Sequence, residues 1–205
     1  MPYAKKTLLD LKQSLADRHD SGTLPTDSAI LAFYIRWLNK GQAYCMDKLR
    51  LSKSTTLTTA SGTIALPDDF LVINEVFGTD NIPLYQADQD NKPDQVGLVF
   101  WITGNHSDGF SLNTTADKAY TVKYSFKPSE MSADGDECII PDPEAVVAYA
   151  YSFIRKSETD PVGDAGSALQ ECDARLTEMI DALNINNAFS GFIIPDAITN
   201  KYSWE

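Results

Sequence analysis

Two histidines, three cysteines and a large excess of carboxylates are the groups through which this 205-residue chain could do chemistry. His19 falls at a helix end and His106 in a hairpin tip, and neither stands beside a Cys or Ser in the pattern of an activated nucleophile. Asp68 and Asp69 are adjacent, so in an extended segment their side chains point apart. A paired-carboxylate hydrolase would need a second acid brought in by the fold, whereas an Asp that hydrogen-bonds its own turn is ordinary. Asp88-Gln89-Asp90-Asn91-Lys92 opens like a calcium loop. It then departs from the pattern, with Lys92 at a ligand position, Pro93 in place of the glycine and Val99 where the bidentate Glu belongs. Cys45, Cys138 and Cys172 are odd in number, widely spaced and without a CxxC pair, which argues against a disulfide framework or a zinc site. There is no glycine-rich phosphate loop. Phe100-Trp101 and Tyr120/Tyr124 could stack on bases or sugars, but filling the core of a small sheet is the simpler use of them. The reading is of a non-enzyme with no catalytic residue, no metal site and no cofactor.

The elements that would position these groups fall into three blocks. Leu8, Leu11 and Leu15 mark one face of a helix from Ala4 to Arg18. Asp20 to Pro25 breaks it, Thr26 or Asp27 caps the next helix, and that helix runs from about Ser28 to Leu49. Ile30, Phe33, Tyr34, Trp37 and Leu38 form its apolar stripe, and Arg36, Lys40, Lys48 and Arg50 its polar side. Residues 53–127 then change from a helical period to alternation. Strands are expected at Lys53–Ala60, Thr63–Leu66, Leu71–Phe77, Ile82–Tyr85, Gly97–Thr103, Phe110–Thr114 and Ala119–Phe126. Asp142 as N-cap and Pro143 at N1 restart the helical code, which continues to Glu158. A last helix from Gly166 to Asn184 carries Leu169, Cys172, Leu176, Met179 and Leu183 at heptad spacing. The expected class is α+β. Residues 1–52 and 138–184 would form a four-helix bundle, residues 53–137 a central antiparallel β insertion, and residues 185–205 an extended C-terminal arm.

The net charge of −12 is uneven. Residues 1–53 hold nine Lys/Arg against five Asp/Glu, residues 54–140 hold four against thirteen, and residues 141–205 four against eleven. Tight binding to nucleic-acid phosphates needs a basic surface and is disfavoured. No run of eighteen apolar residues is present, so no membrane helix is expected. The N-terminal stretch reads as an amphipathic helix and not a signal peptide, which points to the cytoplasm. The segment Asn184 to Glu205 is apolar and aromatic, with only three charged side chains, Asp196, Lys201 and Glu205. Disordered tails are usually charged and poor in aromatics. The candidate binding residues are therefore Phe189, Phe192, Ile193, Ile194, Tyr202 and Trp204, expected to be buried between chains.

The order of these elements, read with its local words, resembles the head-to-tail adaptor (connector) proteins of tailed bacteriophages. The words are Ile35-Arg36-Trp37-Leu38-Asn39 in the long second helix, Ile64-Ala65-Leu66-Pro67-Asp68-Asp69-Phe70-Leu71 entering the β region, and Tyr124-Ser125-Phe126-Lys127-Pro128 leaving it. Met131-Ser132, Ile139-Ile140-Pro141 and the Tyr149-Ala150-Tyr151 helix follow, and the pattern covers residues 4–184. The resemblance implies a structural virion protein in a homo-oligomeric ring, commonly of twelve copies, at the head–tail junction. Such a ring docks on the portal protein, extends the DNA channel and presents a surface to the next tail protein. DNA would pass without specific binding, along lumen-facing acids, and no membrane is involved. Residues 184–205 would be the portal-binding arm, whose 22 residues could reach roughly 70 Å when extended. The alternatives are a tail-terminator or stopper ring component and, in a different class, a carbohydrate-binding or hydrolytic module using Trp101, Asp68 and Asp69.

Overall fold

Three of the helices start where a side chain satisfies a first-turn backbone N–H group. Thr7 and Asp10 form a reciprocal capping box. The Asp10 N–H donates to Thr7 Oγ1 at 3.3 Å and the Thr7 N–H to Asp10 Oδ2 at 2.9 Å. The helix therefore begins at Leu8 rather than Ala4, and α1 is Leu8–His19. The Thr7-x-x-Asp10 spelling carries this signal in the sequence. Asp27 caps α2 (Ser28–Leu49), accepting from the Ala29 N–H at 2.7 Å. Asp142 caps α3 (Pro143–Ser157) with Pro143 in the first turn, as the sequence predicts. The fourth helix, α4, is Asp164–Phe189 and is longer at both ends than its periodicity suggests.

The computed structural model describes residues 4–19, 22–87, 99–105, 107–158 and 163–189, with residues 183–189 given by backbone alone. The chain divides into two compact units, Met1–Gly41 with Ser132–Glu205, and Gln42–Met131.

In the first unit α3 lies at the centre. Val146, Val147, Ala148, Ala150 and Ile154 are at most 1 % exposed, so the helix is largely buried and opens to water mainly at its C-terminal end, at Lys156 and Ser157. Its neighbours along its length are α4 and α1. Leu8, Leu11 and Leu15 of α1 are fully buried, each contributing about 2 kcal/mol by removal from water. Cys172, Leu176 and Met179 of the α4 seam are buried as well. The first part of α2 approaches α3 most closely at Gly41. Gly41 lies so close to α3 that an added Cβ would stand 2.9 Å from the Val146 carbonyl oxygen.

The second unit holds seven strands among the described residues. These are β1 (Ser52–Thr58), β2 (Thr63–Ala65), β3 (Phe70–Phe77), β4 (Tyr85–Gln86), β5 (Val99–Asn105), β6 (Gly109–Thr114) and β7 (Ala119–Phe126). They form two sheets, ordered β1-β7-β3 and β2-β6-β5-β4. In β7 the alternation holds as expected. Tyr120, Val122, Tyr124 and Phe126 face the core while Lys123 is exposed. The β1–β2 link is a tight turn with Ser61 at φ 56° and Gly62 at φ 74°, both residues left-handed as a type I′ turn requires. Asp117 holds the turn by accepting from the N–H groups of both residues, at 3.0 and 2.6 Å. In the β5–β6 hairpin a Cβ on Gly104 would lie 2.1 Å from the Gly109 carbonyl oxygen, so only glycine fits. The segment 82–86 joins the two sheets at one corner. Leu84 N–H donates to Val76 O of β3 at 2.8 Å, and β4 then pairs with β5.

These findings correct the expected fold class. Four helices are present, but they do not make a four-helix bundle with a single central antiparallel β insertion. The β region is two sheets, and the β4–β5 pair is parallel. Apolar periodicity identifies a face to be covered; it does not say which element covers it.

Candidate interaction surface

Charge organises the first unit. Arg18, in the last turn of α1, forks onto Glu171 of α4 with contacts of 2.8 and 3.0 Å and reaches Glu144 of α3 at 3.1 Å. Lys6 also binds Glu144. Arg175 of α4 donates to Glu171 at 3.0 Å and to the buried N-cap carboxylate of Asp142 at 2.9 Å. Six side chains thus tie α1, α3 and α4 together. The hydrogen bond to Glu171 holds the Arg18 guanidinium above its usual range, and the same contact holds Glu171 below the usual carboxylate range. Burial works against the Glu144 charge, but Lys6 and then Arg18 outweigh it, and its carboxyl also sits low. Bidentate Arg–carboxylate pairs of this kind set geometry as well as energy. Nothing in the network is left over to act as an acid or base.

A second cluster lies where α2 meets α3. Trp37 stacks on Phe153 at 4.8 Å between centroids, Phe33 meets Trp37 edge-on at 6.2 Å, and Tyr149 contacts Phe153 at 4.7 Å. Lys40 sits 4.4 Å above the Trp37 ring and Lys156 lies 6.0 Å from that of Phe153. The sequence assigns Lys40 to a solvated side of α2; in the structure it lies over the aromatic stripe, because residues three apart share a helix face. Phe33, Trp37 and Phe153 are only half-buried, and Ile30, one turn earlier, is 42 % exposed. The Trp37 indole N–H is buried without an acceptor among the described residues.

His19, Asp69 and the cysteines are used structurally. His19 bridges the Tyr34 hydroxyl at 3.0 Å and Glu158 at 2.8 Å, and His106 lies outside the described residues. Asp69 accepts from Lys53 and from the Tyr124 hydroxyl and so pins its turn to β1 and β7. Asp68 lines a cleft of about 350 Å³ with Asp108 of the hairpin tip. The three cysteines are buried thiols, and burial pushes Cys138 up to about 11. Phe100, Tyr120 and Tyr124 are core residues. Among the described residues no group of three or more His, Cys, Asp or Glu is placed to hold a metal ion, and no helix is long and apolar enough to cross a membrane. Of the six candidate arm residues, Phe189 is the last residue of α4. Phe192, Ile193, Ile194, Tyr202 and Trp204 lie outside the described residues.

The model of the SU10 adaptor protein family matches residues 6–191. The chain belongs to the SU10 adaptor protein family. The match takes in both units and all four helices, and the phage head-to-tail adaptor read from the order of the elements agrees with it. A phage adaptor is a structural protein of the virion, and membership gives this chain that role. No curated protein matches the chain. Sequence reasoning missed the charge network, whose partners are as far apart as Arg18 and Glu171. It also missed the pairing of Trp37 with Phe153.

Proposed function

We propose that this adaptor works as a ring, commonly of twelve copies, docked beneath the portal. There it extends the DNA channel and offers a surface to the next tail protein. The observation that carries the reading is the family match over residues 6–191. It is supported by the structural employment of Asp69, His19 and the cysteines, which leaves no assembled reactive site among the described residues. The negative charge of −12 suits a channel that DNA traverses without sticking. Residues after α4 act as the portal-binding arm, with Phe192, Ile193, Ile194, Tyr202 and Trp204 entering the interface and Phe189 at its root. Many arms binding at once give stable attachment without chemical work.

Removing residues 190–205 tests this directly, since α4 ends at Phe189 and stays whole. The truncated chain is expected to keep the circular dichroism and melting behaviour of the full chain and to lose co-migration with the portal. Undiminished portal binding would remove the arm from the mechanism.

A further inference from the structure

Most cations of the first unit are neutralised within it. Among its described residues Lys5, Lys6, Lys12, Arg18, Arg155 and Arg175 each pair with a carboxylate. Arg36, Lys40 and Lys156 have no carboxylate partner there, and all three are exposed. Lys40 and Lys156 flank the Trp37–Phe153 stack, and Arg36 is one helical turn from Lys40. The surface is therefore apolar at its middle, with half-buried rings and an exposed Ile30, and basic at its rim. An aromatic centre inside a charged rim is the usual composition of a protein interface. It stands out on a chain of net charge −12.

The same unit carries the complement on another face. Glu178 and Asp181 of α4 are exposed and have no ion pair among the described residues. They are three apart and share a side of the helix, while Cys172, Leu176 and Met179 are the residues α4 buries. Of the other described acids of α4, Asp164 and Glu171 are already engaged with Arg155, Arg18 and Arg175, and Asp173 also has an interaction within the chain.

We infer that the α2/α3 face around Trp37, Lys40, Phe153 and Lys156 docks the α4 face bearing Glu178 and Asp181 of a second copy of this chain. The two faces differ, so the contact is heterologous, and repetition under a closing rotation makes a ring. Opposite charges fix the register and guide encounter, and the aromatic centre supplies the buried area. The inference rests on the ring reading and names the surfaces that would build the ring.

Charge reversal tests it in the full chain, with the portal present. One variant carries Lys40→Glu with Lys156→Glu, the other Glu178→Lys with Asp181→Lys. Each alone places like charges across the contact, and about a tenfold or greater loss of assembled particle is expected, a loss of about 1.4 kcal/mol for each tenfold. Mixed in equal amounts, the two variants should reassemble, because each altered face then meets its altered complement. Circular dichroism establishes that both remain folded, and the milder pair Lys40→Gln with Lys156→Gln serves if a reversed variant does not fold. Wild-type rings that persist in either reversed variant overturn the inference and leave the ring reading standing. Loss in the single variants with no rescue on mixing also overturns it, as does loss of portal binding without loss of self-association. Wild-type chain that forms no ring with the portal defeats the ring reading itself.

Discussion

Two helices of similar apolar content, α2 and α3, meet different ends. Helix α3 is buried along most of its length, with Val146, Val147, Ala148 and Ala150 at 0 % exposure, and opens at its C-terminal end around Phe153 and Lys156. Helix α2 leaves Ile30 at 42 % exposure and holds Phe33 and Trp37 half-buried. Apolar patterning alone does not separate a core helix from one that keeps a face for a partner. The charges around it do. Glu144 and Arg155, beside the buried part of α3, are tied into ion pairs, whereas Lys156 at its open end has no carboxylate partner among the described residues. The α2 cations Arg36 and Lys40 have no carboxylate among the described residues, and Lys40 lies over the half-buried Trp37 ring. An apolar stripe with satisfied charges reads as core, and one with unsatisfied charges reads as interface.

Substitutions can break this contrast, and the largest effect is expected in α3. Val147→Asp puts a charge where exposure is 0 % and should cost more than about 4 kcal/mol. Loss of a cooperative thermal transition would report it. Next comes the crossing point. Gly41→Ala places a Cβ 2.9 Å from the Val146 carbonyl oxygen, which should cost about 1–3 kcal/mol by denaturant titration. At a solvated helix position the same change would gain up to about 1 kcal/mol, so the sign of the effect locates the α2–α3 contact.

The charge network gives a pH signature. Glu144 and Glu171 are held below their ordinary carboxyl value of 4.5 in the folded chain. Their contribution is therefore present above about pH 4.5 and is lost as pH falls through the lowered folded values. Arg18→Met should flatten the acid side of a stability-versus-pH curve and cost about 1–2 kcal/mol at neutral pH, because the partners are part-exposed. An unchanged acid limb would show that the network does not hold the helices. The smallest effect belongs to the open face. Lys156→Ala should move stability by no more than about 0.5 kcal/mol, and a larger change in a melting curve would place Lys156 in the core rather than on an interface.

Much of this was written locally in the chain. The Asp142-Pro143-Glu144 start of α3, the Asp27 cap, the buried seam of Cys172, Leu176 and Met179, and the alternation of β7 follow from rules that act over a few residues. The start of α1 was also written there, in Thr7-x-x-Asp10, though its apolar period suggested an earlier one. What could not be read depends on distant partners. Arg18 and Glu171 are 153 positions apart, and nothing near either residue announces the other. The parallel β4–β5 pair is two residues long, too short for a period. The expectation of a helical bundle with one antiparallel insertion failed because alternation marks strands but not how they pair into sheets, and seven strands form two of them. The structural employment of two of the candidate residues could not be read locally either. Asp69 and His19 are occupied with holding a turn and two helices.

Imaging the assembled particle at a resolution that shows subunits tests the central claim most directly. The expected image has this chain as a closed ring between portal and tail, with density running from the end of α4 onto the portal. Finding the chain elsewhere in the particle, or as isolated copies that make no ring, would contradict the account.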